Sequence, residues 1–181
     1  MLYGERVQLR PVREADLEAL FTCLSDIRNR GDFFPVNVYS ESWLRKQFQD
    51  GGFWGDDKGL LLMSNRAAAL IGHIEFFKPV AYLDAYELSY LIYDAAERCK
   101  GITSEAVHLL TKYLFDTQKL NRLQLVIHPD NIASRRVAQK NGFVSEGKMR
   151  GAWYHRGQYH DVEVFSLLRQ EWEALRDHIS A

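Results

Sequence analysis

The sequence predicts a mixed α+β fold in which helices flank one central sheet. Three observations support this prediction. Some segments repeat apolar residues with helical spacing, others are short apolar runs bounded by polar residues, Gly or Pro, and the second half of the chain alternates strand, helix, strand, helix and strand. The 181 residues suit one domain that covers the whole chain, residues 1–181.

The N-terminal part of the chain begins with a predicted strand and a predicted helix. Val7 and Leu9 alternate with polar neighbours, which indicates a short strand that ends at Pro11. Residues 13–24 carry apolar side chains three and four positions apart, which is the spacing of an amphipathic helix. Residues 28–39 show no regular pattern, so we expect an irregular connection there.

Ser40 is predicted to cap a second helix, which Gly51 and Gly52 would end. The pattern then changes to short apolar runs that predict three strands. These runs are residues 59–63, 70–77 and 86–93. The last run shows little alternation, so we expect it in the middle of the sheet with both faces covered.

The second half of the chain contains the clearest helix. Residues 103–115 place Ala106, Leu110, Tyr113 and Leu114 on one apolar stripe. A strand is predicted over residues 123–127. It is followed by a helix over residues 131–140, with Asn131 as its cap and Gly142 just past its end. Two further strands, over residues 143–149 and 161–168, are connected by a predicted loop over residues 150–159.

Composition and charge narrow the classes of partner. Hydrophobic residues make up 46% and charged residues 26% of the chain, which is typical of a globular protein. The formal net charge of −1 provides no overall positive field that would attract nucleic acid or an anionic membrane. Cys23 and Cys99 form no metal-ligand pattern, so we expect free thiols in a reducing cytoplasm and no metal site. The N-terminus lacks the apolar core of a signal peptide, and no stretch is long and apolar enough to cross a membrane, so we expect a cytoplasmic protein.

Residues 98–104 form the segment in which chemistry is easiest to predict. A strand, a glycine-containing loop and a helix N-terminus follow one another there, and such an arrangement directs backbone N–H groups and the helix dipole at one point. Gly101 allows a close approach of an anion, and Arg98 and Lys100 add positive charge. Taken alone, the segment is explained more simply as a capped helix with solvated basic residues.

The order of motifs along the chain favours the anion-binding interpretation. The loop resembles the pyrophosphate motif Q/R-x-x-G-x-G/A of the GNAT acetyltransferase superfamily, with Arg98 and Gly101 in place and Thr103 as a departure. The run from His128 to Ser134, followed by a helix and a Gly-Phe pair, resembles the second hallmark of that superfamily. Further similarity near both ends of the chain is to the branch that contains ribosomal-protein Nα-acetyltransferases.

The resemblance implies a GNAT fold, with a mixed central sheet of about seven strands, flanking helices and two parallel central strands that splay apart. Acetyl-CoA would be the cosubstrate, without a metal. Its pantetheine arm would pair with the backbone of one splayed strand, and its pyrophosphate would lie on the loop. The residues implied in binding are Leu91, Ile92, Tyr93, Arg98, Cys99, Lys100, Gly101, Ile102, Thr103, Ser104, Asn131 and Ser134.

The implied reaction is direct attack of a primary amine on the acetyl thioester. Glu87, at the start of its strand, is the candidate general base, and Ser134 is the candidate group that protonates or hydrogen-bonds the leaving sulfur. Many members of the superfamily use a Tyr for the second task, but residues 131–141 contain none. His128 and His73 are interpreted as structural residues.

The acceptor is left open by the sequence: a peptide N-terminus, a polyamine, an aminoglycoside or an amino sugar would all suit. The first half of the chain is expected to build the acceptor site, and the loop around Trp153, Tyr154 and His155 is a candidate for another wall. A homodimer is a further possibility. The alternative function is a catalytically weak sensor or scaffold that binds coenzyme A, and the departure at Thr103 and the missing Tyr are consistent with it. An unrelated nucleotide-binding protein ranks last, because the sequence contains no GxGxxG or GxxxxGK motif.

Overall fold

The computed structural model describes the backbone of residues 1–180 and the side chains of residues 1–176. Within these residues the strands are β1 (Leu2–Tyr3), β2 (Gln8–Pro11), β3 (Trp54–Gly55), β4 (Lys58–Ser64), β5 (Leu70–Phe77), β6 (Ala85–Ile92), β7 (Arg122–Ile127), β8 (Val144–His155) and β9 (Gln158–Leu168). The helices are α1 (Leu17–Ser25), α2 (Glu41–Gln49), α3 (Ile102–Thr117), α4 (Ile132–Lys140) and α5 (Arg169–Ser180). Short 3₁₀ turns cover Glu14–Asp16, Ile27–Arg30 and Ala95–Glu97.

The predicted α+β class is confirmed, and nine strands in the described residues replace the predicted seven. The chain forms two compact units. The first unit comprises Met1–Phe76 and Ser89–Ala106, and the second comprises Phe77–Leu88 and the chain from Val107 onward. Because the boundary falls within β6 and α3 and before the last residue of β5, each of these elements contributes residues to both units.

In the first unit the strand order is β1-β2-β4-β5 followed by the second half of β6. Strands β2 and β4 are antiparallel, with Leu9 opposite Met63. The apolar spacing that predicted the first helix faces inward, since Leu17 and Leu20 are buried. They belong to a core that consists of Val12, Leu17, Leu20, Leu44, Leu62, Leu91 and Tyr93.

The second helix of this unit begins and ends where the sequence predicted. Ser40 is its N-cap, and the Ser40 hydroxyl oxygen accepts a hydrogen bond from the Trp43 N–H at 3.1 Å. After Asp50 the chain turns through Gly51 and Gly52, both with positive φ, which stops the helix.

In the second unit the first half of β6 is followed in order by β7, β9 and β8. Strands β6 and β7 are parallel, and the register pairs Ala85, Tyr86 and Glu87 with residues 122–124 of β7. Strand β9 is antiparallel to both β7 and β8. This unit therefore contains the parallel pair that the fold prediction required.

Specific hydrogen bonds hold both ends of α4 and the C-terminal end of α3 in the second unit. Helix α4 begins after Asn131, and it ends in a Schellman motif in which the Gly142 N–H donates to the Gln139 carbonyl and the Phe143 N–H donates to the Ala138 carbonyl. At the C-terminal end of α3 the guanidinium of Arg169 donates to three backbone carbonyls, at 2.7–2.9 Å. One of them is the Phe115 carbonyl in the last turn of α3, which has no intrahelical donor, and the other two lie just after the helix, so Arg169 ties the end of α3 to the start of α5.

The predicted loop over residues 150–159 is wrong, because β8 and β9 form one long hairpin across it. Gly151 has a φ of +57°, and it lies where the register shifts between Met149 and Trp153. Pairing then resumes up to a two-residue turn at Arg156 and Gly157, whose φ values of +49° and +84° suit a type I′ turn. The glycines that suggested a loop therefore serve a bulge and a tight turn. Strands β1 and β3 and helix α5 were also absent from the sequence prediction.

Candidate active site

The loop between β6 and α3, which was predicted to bind an anion, lies in the first unit and contains two residues with positive φ. Cys99 and Gly101 have φ values of +61° and +78°, so the chain reverses sharply before α3 begins at Ile102. The Glu105 N–H donates to the Gly101 carbonyl at 3.1 Å, which starts the helical pattern. By helix geometry, the N–H groups of Ile102 and Thr103 have no acceptor within α3, and they point out of its positive end.

The two basic residues named in the loop have protein partners. The Arg98 guanidinium donates to the carbonyls of Ile92 at 3.2 Å and Asn29 at 3.4 Å. The Lys100 ammonium lies 3.2 Å from a carboxylate oxygen of Glu97. Both side chains are therefore engaged with protein groups, whereas the first N–H groups of α3 have no acceptor within the helix.

A basic residue that the sequence analysis missed lies beside the loop. A Cβ atom placed on Gly101 would lie 3.9 Å from Cδ and 4.0 Å from Nε of Arg6. The Glu105 carboxylate fixes this N-terminal segment, since it accepts hydrogen bonds from the backbone N–H groups of Glu5 at 2.6 Å and Arg6 at 2.8 Å. Arg6 lies far along the chain from Gly101, so no local motif could have identified it.

Leu91, Ile92 and Tyr93, the predicted pantetheine strand, are buried at the end of β6. The Tyr93 N–H donates to the Ile71 carbonyl on β5 at 2.9 Å. A Cβ atom on Gly72 would overlap the Leu91 carbonyl, so glycine is required there for β5 to approach β6.

Below this strand end lies a buried polar pair. His73 Nδ1 and the Tyr93 hydroxyl are 2.7 Å apart, and both residues are buried. Burial, together with the nearby Arg30 charge, lowers the pKa of His73 to about 4, so the imidazole is neutral at pH 7. This geometry agrees with the interpretation of His73 as a structural residue.

Glu87, the predicted base, lies in the second unit on the parallel strand pair. Its Cα is paired in register with that of Gln124 on β7, and one carboxylate oxygen accepts a hydrogen bond from Gln124 Nε2 at 2.9 Å. The side chain is half-buried, and this burial raises the pKa of the Glu87 carboxyl. A carboxyl group of this kind takes up a proton more readily than one in water.

Three further polar side chains extend this cluster across the sheet. Arg122 forms a two-pronged ion pair with Glu146, with N–O distances of 2.6 Å and 2.5 Å. The Ser166 hydroxyl donates to the same Glu146 carboxylate at 2.7 Å. The Arg122 guanidinium is the main reason that the pKa of Glu146 falls to about 2. None of these partners could be predicted from the sequence, because their proximity depends on the strand register.

The predicted sulfur and pantetheine residues lie at the start of α4. Asn131 is the N-cap as predicted, and its side-chain oxygen accepts from the Ser134 N–H at 3.1 Å. Ser134 is half-buried in the first turn of this helix. The cap uses one lone pair of the Asn131 amide oxygen, which leaves the two N–H groups of that amide as donors for a further contact.

Aromatic and imidazole rings gather on the β8–β9 hairpin. His128 Nε2 and His160 Nδ1 are 3.2 Å apart. The indole of Trp153 stacks on the buried His155 with 4.3 Å between ring centroids, while Tyr154 is exposed. The predicted acceptor wall is therefore a strand segment whose side chains are partly ordered by ring contacts.

Both cysteines are free thiols, as predicted, and Cys99 is exposed on the loop. Among the residues that the structure describes, no cluster of three His, Cys, Asp or Glu side chains is arranged to hold a metal ion. No helix in the described part of the chain has the length and apolar character needed to cross a membrane.

Comparison with known proteins relates this geometry to one family. The family model described as "Acetyltransferase (GNAT) domain" matches residues 6–144. The chain is 39% identical to "Putative ribosomal N-acetyltransferase YdaF" of Bacillus subtilis, over 94% of this chain and 95% of the relative. It is 29% identical to the ribosomal-protein-serine acetyltransferase of Escherichia coli, over 91% of this chain and 94% of the relative.

Solved structures show the same fold. Spermidine N-acetyltransferase from Vibrio cholerae, crystallised with coenzyme A and spermine, superposes with a TM-score of 0.82 at 18% identity, covering 94% of this chain and 99% of that one. The family predicted from the loop and helix motifs is confirmed by the match to residues 6–144. The chain therefore belongs to the GNAT family of acetyltransferases, enzymes that take their acetyl group from acetyl-CoA.

Proposed function

We propose that this protein transfers the acetyl group of acetyl-CoA to the α-amino group of a peptide or protein N-terminus. The observation that carries the proposal is the half-buried Glu87 carboxyl, which is hydrogen-bonded to Gln124 and has a raised pKa. The relatives named as ribosomal N-acetyltransferases support the choice of acceptor, since they align over more than nine-tenths of the chain.

The chemistry of the acceptor fits a carboxylate base. An α-ammonium group has a pKa of about 8, whereas an alkyl ammonium has a pKa of about 10.4. Only the neutral amine attacks the thioester, so the α-amine needs less help to lose its proton at neutral pH. A carboxyl whose pKa is raised toward neutrality is better matched to that task than one in water.

In the proposed reaction Glu87 takes a proton from the ammonium group. The amine nitrogen then forms a bond to the acetyl carbon, and the bond from that carbon to sulfur breaks, so that the thiolate leaves with the electron pair. The nitrogen loses its second proton as the amide forms, and this proton goes to the thiolate, for which Ser134 remains the candidate relay or hydrogen-bond donor. The Ile92 N–H is the candidate hydrogen-bond donor to the oxyanion that forms on the way.

The loop supplies binding rather than chemistry in this proposal. The backbone N–H groups at the start of α3 receive the pyrophosphate, and Arg6 adds a charge that the motif does not contain. The strand end from Leu91 to Tyr93 would pair with the pantetheine amides through backbone groups other than the Tyr93 N–H and the Ile92 carbonyl, which already have protein partners, and Asn131 offers its amide nitrogen. The free thiols of Cys23 and Cys99 support a cytoplasmic location.

Polyamines are the second candidate acceptor. Their support is weaker, because the likeness to spermidine N-acetyltransferase is one of fold at 18% identity. A polyamine also requires deprotonation of an alkyl ammonium, for which a carboxylate base is less well matched.

The test is thiol release from acetyl-CoA with matched acceptors. One peptide carries a free N-terminal serine and no lysine, a second has a blocked N-terminus and one lysine, and spermidine is the third acceptor. Turnover with the first peptide alone is the expected result. Turnover with spermidine alone would replace the proposed acceptor class. Calorimetric binding of coenzyme A without turnover on any amine would favour the sensor alternative.

A further inference from the structure

We propose that Gln124 is a positioning residue for the reaction, held in one orientation by Arg122 and Glu146 so that it directs the Glu87 carboxylate toward the acceptor amine. This inference rests on the proposed role of Glu87 as the base. The five side chains involved are Glu87, Gln124, Arg122, Glu146 and Ser166, and all lie in the second unit. We call this set the carboxylate network.

Strand register places these side chains together. Gln124 is paired with Glu87 on β6 and with Ser166 on β9, so the three residues form one row across the sheet. Arg122 lies two residues before Gln124 on β7, and side chains two apart in a strand point to the same face. Cross-strand neighbours of this kind are within reach of each other's side chains.

The two ends of the Gln124 side chain require the same amide orientation. Its nitrogen donates to the Glu87 carboxylate at 2.9 Å. Its oxygen faces the Arg122 guanidinium, with distances of 3.4 Å to Nε and 3.5 Å to Nη2. A carboxylate can only accept and a guanidinium can only donate, so a flipped amide would face acceptor with acceptor and donor with donor.

Arg122 is itself fixed by a strong partner. Its two terminal nitrogens bind both oxygens of Glu146, and the Ser166 hydroxyl donates to one of those oxygens. Such two-pronged pairs restrict the guanidinium plane more than a single hydrogen bond does. The long contacts from Arg122 to Gln124 are weak alone, but the fixed guanidinium keeps a donor next to the amide oxygen.

The hydrogen bond from Gln124 determines which oxygen of the Glu87 carboxylate accepts the proton. Gln124 occupies Oε2 of Glu87, so Oε1 is the oxygen that takes the proton from the ammonium group. The hydrogen bond from Gln124 also favours the ionised form of Glu87 and so opposes the effect of burial. The other charged side chains of the carboxylate network are Arg122 and Glu146, which carry opposite charges and pair with each other, and strand alternation places the titratable His128 and His160 further along the same face.

Two variants remove the donor from Gln124 while keeping the length of the side chain. Gln124→Met removes both polar ends, and Gln124→Glu keeps an acceptor for Arg122 but offers no donor to Glu87. In both variants we expect the pKa of Glu87 to rise and kcat/KM at neutral pH to fall by about tenfold, since a hydrogen bond to a charged group is lost. Gln49→Met, at the exposed end of α2, is the matched control.

The assay is a carbon-13 NMR titration of the Glu87 carboxyl carbon, assigned by its loss in Glu87→Gln, together with the pH profile of kcat/KM. The expected result is an upward shift of the Glu87 pKa in both Gln124 variants and none in Gln49→Met, with the acid limb of the rate profile moving by the same amount. An unchanged Glu87 pKa in folded Gln124→Met and Gln124→Glu would overturn the role of Gln124. If the Glu87 pKa shifts in the Gln124 variants but the pH profile of kcat/KM does not, Gln124 does control the Glu87 carboxyl but Glu87 is not the base.

Discussion

The loop over residues 98–104 and the carboxylate network are built in opposite ways. The loop consists of consecutive residues, and it presents backbone N–H groups at a helix end. The network consists of side chains from four strands, and it presents one carboxylate. The loop should therefore depend on backbone conformation, whereas the network should depend on the chemical identity of each side chain.

The largest effect is expected for the carboxylate itself. Glu87→Gln keeps the size of the side chain and an acceptor for Gln124 but removes the base, so kcat/KM should fall by about 10²–10⁴-fold. The Kd for coenzyme A should stay unchanged, because the loop is untouched. Steady-state kinetics and calorimetry of the same preparation measure the two quantities, and equal kcat/KM in both proteins would exclude Glu87 as the base.

The second effect tests the backbone of the loop. Gly101 has a φ of +78°, which costs a residue with a Cβ about 1–2 kcal/mol. An alanine at this position relieves the strain only if the loop changes conformation. Gly101→Ala should therefore weaken coenzyme A binding by about tenfold. Gly55→Ala is the matched control, since its added Cβ would meet only ordinary contacts with Lys58. Equal affinity in both variants would contradict a backbone-built site.

A smaller effect is expected at Arg6, the charge beside the loop. Arg6→Met should weaken coenzyme A binding by about threefold to tenfold and reduce the salt dependence of that binding, because an exposed charge is screened. Binding of pantetheine, which has no pyrophosphate, should not change. Arg45→Met on α2 is the control; a loss of affinity for pantetheine in Arg6→Met would mean that the substitution disturbs the fold instead.

The smallest effect concerns acid stability of the network. The pKa of Glu146 is lowered from 4.5 to about 2, so its ion pair stabilises the folded state above pH 4.5 and loses this contribution as the pH falls toward 2. Because the pair is partly exposed, the contribution should be below about 1 kcal/mol. Urea unfolding of wild type and Glu146→Gln should differ at pH 6 and converge near pH 2. A difference that grows on acidification would contradict this sign.

The same contrast explains what the sequence could predict. Helix spacing, the Ser40 and Asn131 caps and the loop before α3 depend on neighbours along the chain, and the structure contains all of them. Gln124 and Arg122 acquire their roles only through strand register, which no local pattern specifies. The β8–β9 hairpin was mistaken for a loop because Gly151 and Gly157 suit a bulge and a turn as well as they suit irregular chain.

The most direct test of Glu87 as the base for N-terminal acetylation is isotope transfer to a defined amine. Wild type and Glu87→Gln are each incubated with acetyl-CoA labelled in the acetyl group and a peptide with a free N-terminal serine, and the product is sequenced by mass spectrometry. We expect the label on the α-amino nitrogen, formed rapidly by wild type and slowly by Glu87→Gln, which should still bind coenzyme A. Label on a different nitrogen, no label at all, or equal rates from the two proteins would contradict it.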